Sequence, residues 1–187
     1  MDHPIRLTAA DDLRRSRLTV FFRPILAIPL VIWLYAWSIV AVLALVASWV
    51  VTLVAGRTPR GLHDFLAAYL RFTIHVYAYL TVEASPYPGF LGESGYPVDV
   101  EVDPPAPQNR WTVAFRFVLA IPAAIVSAIL GYALPIVGVF NWVLGVLLGR
   151  VHPGVAALGR YALRFTAQAN GYMSLLTSRY PDFTPSA

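Results

Sequence analysis

Two long stretches of the chain hold almost nothing polar. From Val20 to Ala55 the one charged residue is Arg23, and from Val113 to Leu148 it is Arg116. Each run exceeds the roughly 20 apolar residues that cross a bilayer as a helix. As a single helix each would be about 54 Å long, against a hydrocarbon layer of about 30 Å. Two antiparallel helices of about 18 residues would each just cross. Gly131 to Pro135 offers a turn in the middle of the second run, where the first has Ser38. The arginines argue the same way. Arg14, Arg15, Arg17 and Arg23 stand at the front of the first run and Arg57 and Arg60 behind it; Arg110 and Arg116 precede the second and Arg150 follows it. A hairpin keeps both basic flanks on the cytoplasmic side, as the positive-inside rule prefers. The pattern predicts a transmembrane hairpin over about 20–55 and another over about 113–148, four crossings in an all-α integral membrane protein.

Behind each run comes an amphipathic segment, about 61–82 and about 154–176. In the first, Asp64, Arg71 and His75 share one narrow helical face; in the second, Arg160, Arg164 and Gln168 follow a four-residue spacing. Leu, Phe, Tyr, Ala and Val fill the rest, which predicts a helix lying in the membrane interface. The rival is a third crossing, costly with an arginine at mid-membrane. Ahead of each run is a short extended stretch, PIRLTA and PVDVEVD. The second alternates with the period of a strand and stops at Pro104-Pro105; the two stretches could pair with each other.

These parallels are a duplication. FRPILAIP at Phe22–Pro29 returns as FRFVLAIP at Phe115–Pro122, and an offset of 93 aligns the chain on itself without a gap. Trp49 falls on Trp142, Gly56-Arg57 on Gly149-Arg150, Leu70 to Thr73 on Leu163 to Thr166, and Tyr87-Pro88 on Tyr180-Pro181. The chain therefore reads as two tandem repeats, 1–93 and 94–187. An even number of crossings in each would relate them by a pseudo-two-fold axis along the membrane normal, a parallel repeat.

The order FRxxLAIP, long apolar run, PRGLHDF turn, amphipathic helix and Tyr-Pro-x-Phe ending resembles a bacterial membrane family known as domain of unknown function 4389. The motifs lie at Arg23 to Pro29, Gly56 to Phe65 and Tyr87 to Phe90; the second copy has Ala156-Ala157 in place of His63-Asp64. The resemblance implies a bacterial inner-membrane protein and supplies no activity.

Composition narrows the chemistry. The chain is 58% hydrophobic and 13% charged, with a mean hydropathy of +0.62 and a net charge of +4; its 14 basic residues are all arginine, and it has no cysteine. Disulfides, thiolate catalysis and cysteine-based metal sites are excluded. A cleaved signal peptide is not expected, because the first apolar run is too long and lacks a small-residue cleavage site. The arginines point to anionic lipid rather than nucleic acid. Arg23 and Arg116 read as anchors snorkelling to phosphate, or as a paired headgroup site. Arg71 and Arg164 read as a solvated face or a lipid site, with Asp64 as a possible mate for Arg71; Arg57, Arg150 and Arg160 complete the candidate headgroup or partner-binding set. His63-Asp64 could form a general-base pair, but it has no nucleophile or ligand set beside it, and Asp64 equally suits a helix first turn. No cofactor or metal is expected. The reading is a non-enzymatic accessory, scaffold or anionic-lipid-binding module. It would be multi-pass, with cytoplasmic termini and with membrane lipid or another membrane complex as partner. A small transporter or channel, and an enzyme acting on lipid headgroups, are the alternatives.

Overall fold

Neither apolar run forms a hairpin: the first lies in one long helix, and the second in one long helix with a short helical turn ahead of it. A computed structural model, which describes residues 3–10 and 14–183, orders the chain as β1 (Ile5–Ala9), α1 (Arg17–Ala55), α2 (Arg60–Leu80), β2 (Val98–Val102), α3 (Arg110–Ala114), α4 (Arg116–Leu148) and α5 (Pro153–Met173). α1 runs through Pro24 and Pro29, and α4 through Pro122 and Pro135. An interior proline costs about 3 kcal/mol. At the expected turn in α1, Ser38 donates back to the Tyr35 carbonyl (2.7 Å) and stays helical. The chain reverses instead after each run, where Gly56 (φ 74°) and Gly149 (φ 69°) take the left-handed conformation that side chains resist. The hairpins are thus α1–α2 and α4–α5, with α3 completing the α1 equivalent in the second repeat.

The repeats face each other about a two-fold axis perpendicular to the helices. The start of each long helix meets the end of the other: Arg15 N–H donates to Gly149 O (2.9 Å), and Gln108 N–H to Gly56 O (2.8 Å). α1 and α4 are therefore antiparallel. This removes the count of two crossings per copy on which the parallel repeat rested. The basic flanks of α1 lie at opposite ends of one helix, about 58 Å apart.

β1 and β2 pair antiparallel, with Leu7 opposite Val100 and Arg6 opposite Glu101. Leu7 and Val100 are equivalent positions, so the axis passes between them. The strands are exchanged: β1 packs on α5, and β2 on α2. Ile5 and Val100 share a buried cluster with Leu66, Leu70, Ile74 and Ala167, where α2 meets α5. α2 and α5 thus form a buried middle layer between the ribbon and α1/α4, not interfacial helices. Most side chains of α1 and α4 are apolar and exposed, and both helices are long and apolar enough to cross a membrane.

Candidate functional site

The turns that end α2 and α5 are built alike and strained alike. Val82 (φ 62°) and Leu175 (φ 60°), one repeat apart, hold the left-handed conformation that glycine normally fills. Glu83 N–H returns to Ala78 O (2.9 Å) and Leu176 N–H to Gly171 O (3.0 Å), the Schellman pattern in both. Buried side chains hold these turns from outside. Arg15 Nε donates to Val82 O (3.0 Å), and its repeat equivalent Gln108 donates Nε2 to Leu175 O (2.6 Å).

Arg23 and Arg116 complete the clamps. Arg23 is 2% exposed; its Nη1 donates to Tyr79 O (2.7 Å) and Ala84 O (2.8 Å), and its guanidinium lies 4.4 Å over the Tyr79 ring. Arg116 is 1% exposed, donates to Thr177 O (3.3 Å) and Gln108 Oε1, and lies 4.2 Å over the Tyr172 ring. Neither arginine snorkels. A lone cation in an apolar run finds its acceptors in the carbonyls at and just beyond the end of the partner helix, which need donors.

The other candidates disperse. Arg71 donates Nε to Val100 O (2.9 Å), so this part of the α2 stripe faces the exchanged strand. Asp64 does not pair with Arg71; its side chain is 77% exposed and 3.5 Å from His63 Nδ1. Arg164 lies 5.6 Å over Tyr161 on α5, which also carries the half-buried Arg160. Arg57 and Arg150 are exposed at opposite ends of the bundle, just past the glycine turns. Among the described residues no group of His, Asp or Glu gathers as a metal site.

Sequence reasoning missed the polar link between repeats. His75 Nε2 meets Asp99 Oδ1 at 2.9 Å, and Asp99 also accepts from the backbone N–H of Gly95 (2.8 Å) and Val100 (2.7 Å). Burial alone would push the Asp99 carboxyl up, but these hydrogen bonds outweigh it and hold it below the ordinary carboxylate value. A carboxyl with a depressed folded value contributes its full stability above the unfolded value, near 4, and loses it as pH falls through the folded value. Acidification below about pH 4 is therefore expected to loosen the ribbon first. Hydrogen exchange at Val100 checks it, and Asp99→Asn should flatten the acid limb while costing about 1–3 kcal/mol at neutral pH.

A family described as Domain of unknown function (DUF4389) matches residues 17–91 and again residues 110–184. The chain belongs to the DUF4389 family. Nothing among curated proteins or solved structures matches it. Each DUF4389 match begins with its long helix and runs past its clamped turn, so Arg23 and Arg116 lie inside the family unit. The exchanged strands lie outside both units, in the segments before them.

The two DUF4389 units are not equal. Leu66 of the first packs in the cluster that holds Leu176 of the second. At the equivalent positions, Gly159 makes room for Glu83, whose Oε1 would lie 2.4 Å from an added Cβ. That carboxyl accepts from Asn141 Nδ2 (3.1 Å), which also donates to Thr81 O (2.9 Å). Next to this polar cluster lies a cavity of about 840 Å³ between α4, α5 and the end of α2. Its walls include Pro24, Tyr77, Thr81, Ser127, Gly138, Trp142, Thr166 and Asn170.

Proposed function

We propose that the chain is a non-enzymatic membrane module that lies along one face of the bacterial inner membrane and holds anionic lipid at both ends. In this reading α1 and α4 are immersed side by side in one leaflet. α2 and α5 cover them, and the ribbon stands in water. The observation that carries it is the opposition of two surfaces: exposed apolar side chains on α1 and α4, and an exposed charged ribbon across the axis. On the ribbon Arg6 pairs with Asp103 (3.0 Å) and Glu101 (3.4 Å), all with side chains 40–59% exposed.

An upright pair of crossings fits poorly. The two-fold axis would lie in the membrane plane, and the charged ribbon would face lipid at mid-depth, at several kcal/mol per charge. α1 would also overshoot the hydrocarbon layer by about 28 Å. Laid flat, the same axis points along the membrane normal and both arginine-bearing ends reach headgroups at one height.

The chain has no cysteine, so single introduced thiols test the reading cleanly. Thr8, Ser16 and Gly61 are exposed on the ribbon and at the two ends. Thr8→Cys, Ser16→Cys and Gly61→Cys are expected to react with an impermeant maleimide from the same side of sealed membranes. Labelling of positions 16 and 61 from opposite sides would overturn the flat arrangement.

A further inference from the structure

We infer that the cavity between the repeats binds one long-chain lipid with an uncharged, oxygen-bearing head. Its shape comes first. It extends along α4 from Ala124 to Trp142, about 27 Å of helix. A volume of about 840 Å³ over that length gives a mean section of about 30 Å². A hydrocarbon chain, with atomic contacts near 4 Å, fits with room to spare. Exposed Pro24, Leu80, Ala128, Gly131, Pro135 and Val139 form the rim, on the side of α1 and α4.

The polarity of the lining comes second. No charged side chain lines the cavity, so a phosphate would enter without a counter-charge. Two of the residues that line it each hold a buried polar atom with no hydrogen-bond partner: the Thr166 hydroxyl, on a residue 6% exposed, and the Trp142 indole N–H. Their repeat equivalents are satisfied. Thr73 donates to Tyr69 O (2.9 Å), and Trp49 to Val113 O (2.9 Å). Asn170 stands one turn from Thr166 on the same face of α5, and Ser127 lines the wall on α4. This neutral set suits a carbonyl or hydroxyl oxygen.

The third observation is that the second repeat carries a smaller side chain at a lining position where the first is packed. Ser127 occupies the position held in the first repeat by Leu34, which packs against the cluster of Ala27, Leu30, Phe72, Val76 and Tyr79. Packing selects against such voids unless something fills them.

The inference rests on the proposed membrane reading for the supply of ligand, but its test is in detergent. The full chain is washed free of lipid and offered diacylglycerol, an isoprenoid quinone or phosphatidylglycerol, and the retained molecule is counted by mass spectrometry. One equivalent of a neutral probe is expected, and which probe is kept identifies the source of the chemistry. Ser127→Leu, which writes the first repeat's residue into the second, should cut retention at least tenfold. Thr166→Val should cut it about fivefold while raising the thermal midpoint of the lipid-free protein, since it removes a partnerless buried hydroxyl. Retention of neither neutral probe, or equal retention by the filled variant with its fold intact, would overturn the inference. The proposed membrane arrangement fails separately, on the cysteine labelling.

Discussion

Arg23→Met is expected to lower folding stability by about 3–5 kcal/mol, enough to leave a marginal protein largely unfolded. The figure follows from what the guanidinium does. It gives Nη1 to the carbonyls of Tyr79 and Ala84 and stacks on the Tyr79 ring. A hydrogen bond from a charged donor contributes about 1.5–3 kcal/mol, and each buried carbonyl left without a donor adds its own penalty. Those carbonyls flank Val82, whose left-handed backbone persists only because its surroundings over-determine it. Met keeps most of the volume, so the loss isolates the polar clamp from packing. Arg23→Lys should recover part of it: the ammonium can reach one or both carbonyls but has no plane to lay on the ring. Unfolding in a mild detergent, followed by far-ultraviolet circular dichroism, measures the effect. An arginine that served as a phosphate anchor would show the reverse, unchanged stability with weakened lipid association. Unchanged stability in both Arg23→Met and Arg116→Met would remove the clamp from the account.

The clamp also marks where sequence reading stops. The duplication, the two extended stretches and the approximate bounds of α2 and α5 are written in local pattern, whereas the pairing of the stretches could only be suggested, because it joins residues such as Leu7 and Val100, 93 positions apart. The hairpin inside each apolar run was not there, because hydrophobicity has no period that distinguishes one long helix from two short ones. Gly56 and Gly149 were visible as turns, but the charge-flank argument assumed that each run already reversed before them. Arg23 looked like an anchor because its acceptors are backbone carbonyls, which no side-chain pattern reveals, beside a Val at a position where a turn would announce itself with Gly. His75 and Asp99 lie in different repeats and meet only because the strands are exchanged. The cavity was the most legible of the missed features. Sliding the chain by 93 sets Ser127 against Leu34, a loss of volume inside an otherwise kept apolar run.

The arginines that the fold leaves exposed carry the second large prediction. Arg17 stands beside Gly149 and Arg110 beside Gly56, each near the arginine that follows the glycine: a Cβ at those glycines would lie 3.5 Å and 3.8 Å from the two Nε atoms. One end of the bundle therefore presents Arg17 and Arg150, and the other Arg57 and Arg110, as two-fold equivalents. A basic side chain near an anionic surface contributes about 1 kcal/mol. Changing all of them to Gln is expected to lower the preference for phosphatidylglycerol-containing over pure phosphatidylcholine vesicles by about 4 kcal/mol, roughly a thousandfold. Partition from micelles into each kind of vesicle gives the ratio. The symmetry makes a sharper demand. If the axis points along the membrane normal, Arg17→Gln with Arg150→Gln must cost the same as Arg57→Gln with Arg110→Gln, about thirtyfold each, and both losses must fade together as salt screens the headgroups. In an upright bundle the two ends face different leaflets, so placing the anionic lipid in one leaflet alone would make one pair matter and the other silent. Equal losses under that asymmetric loading separate the flat module from a crossing one without any reference to what else it binds.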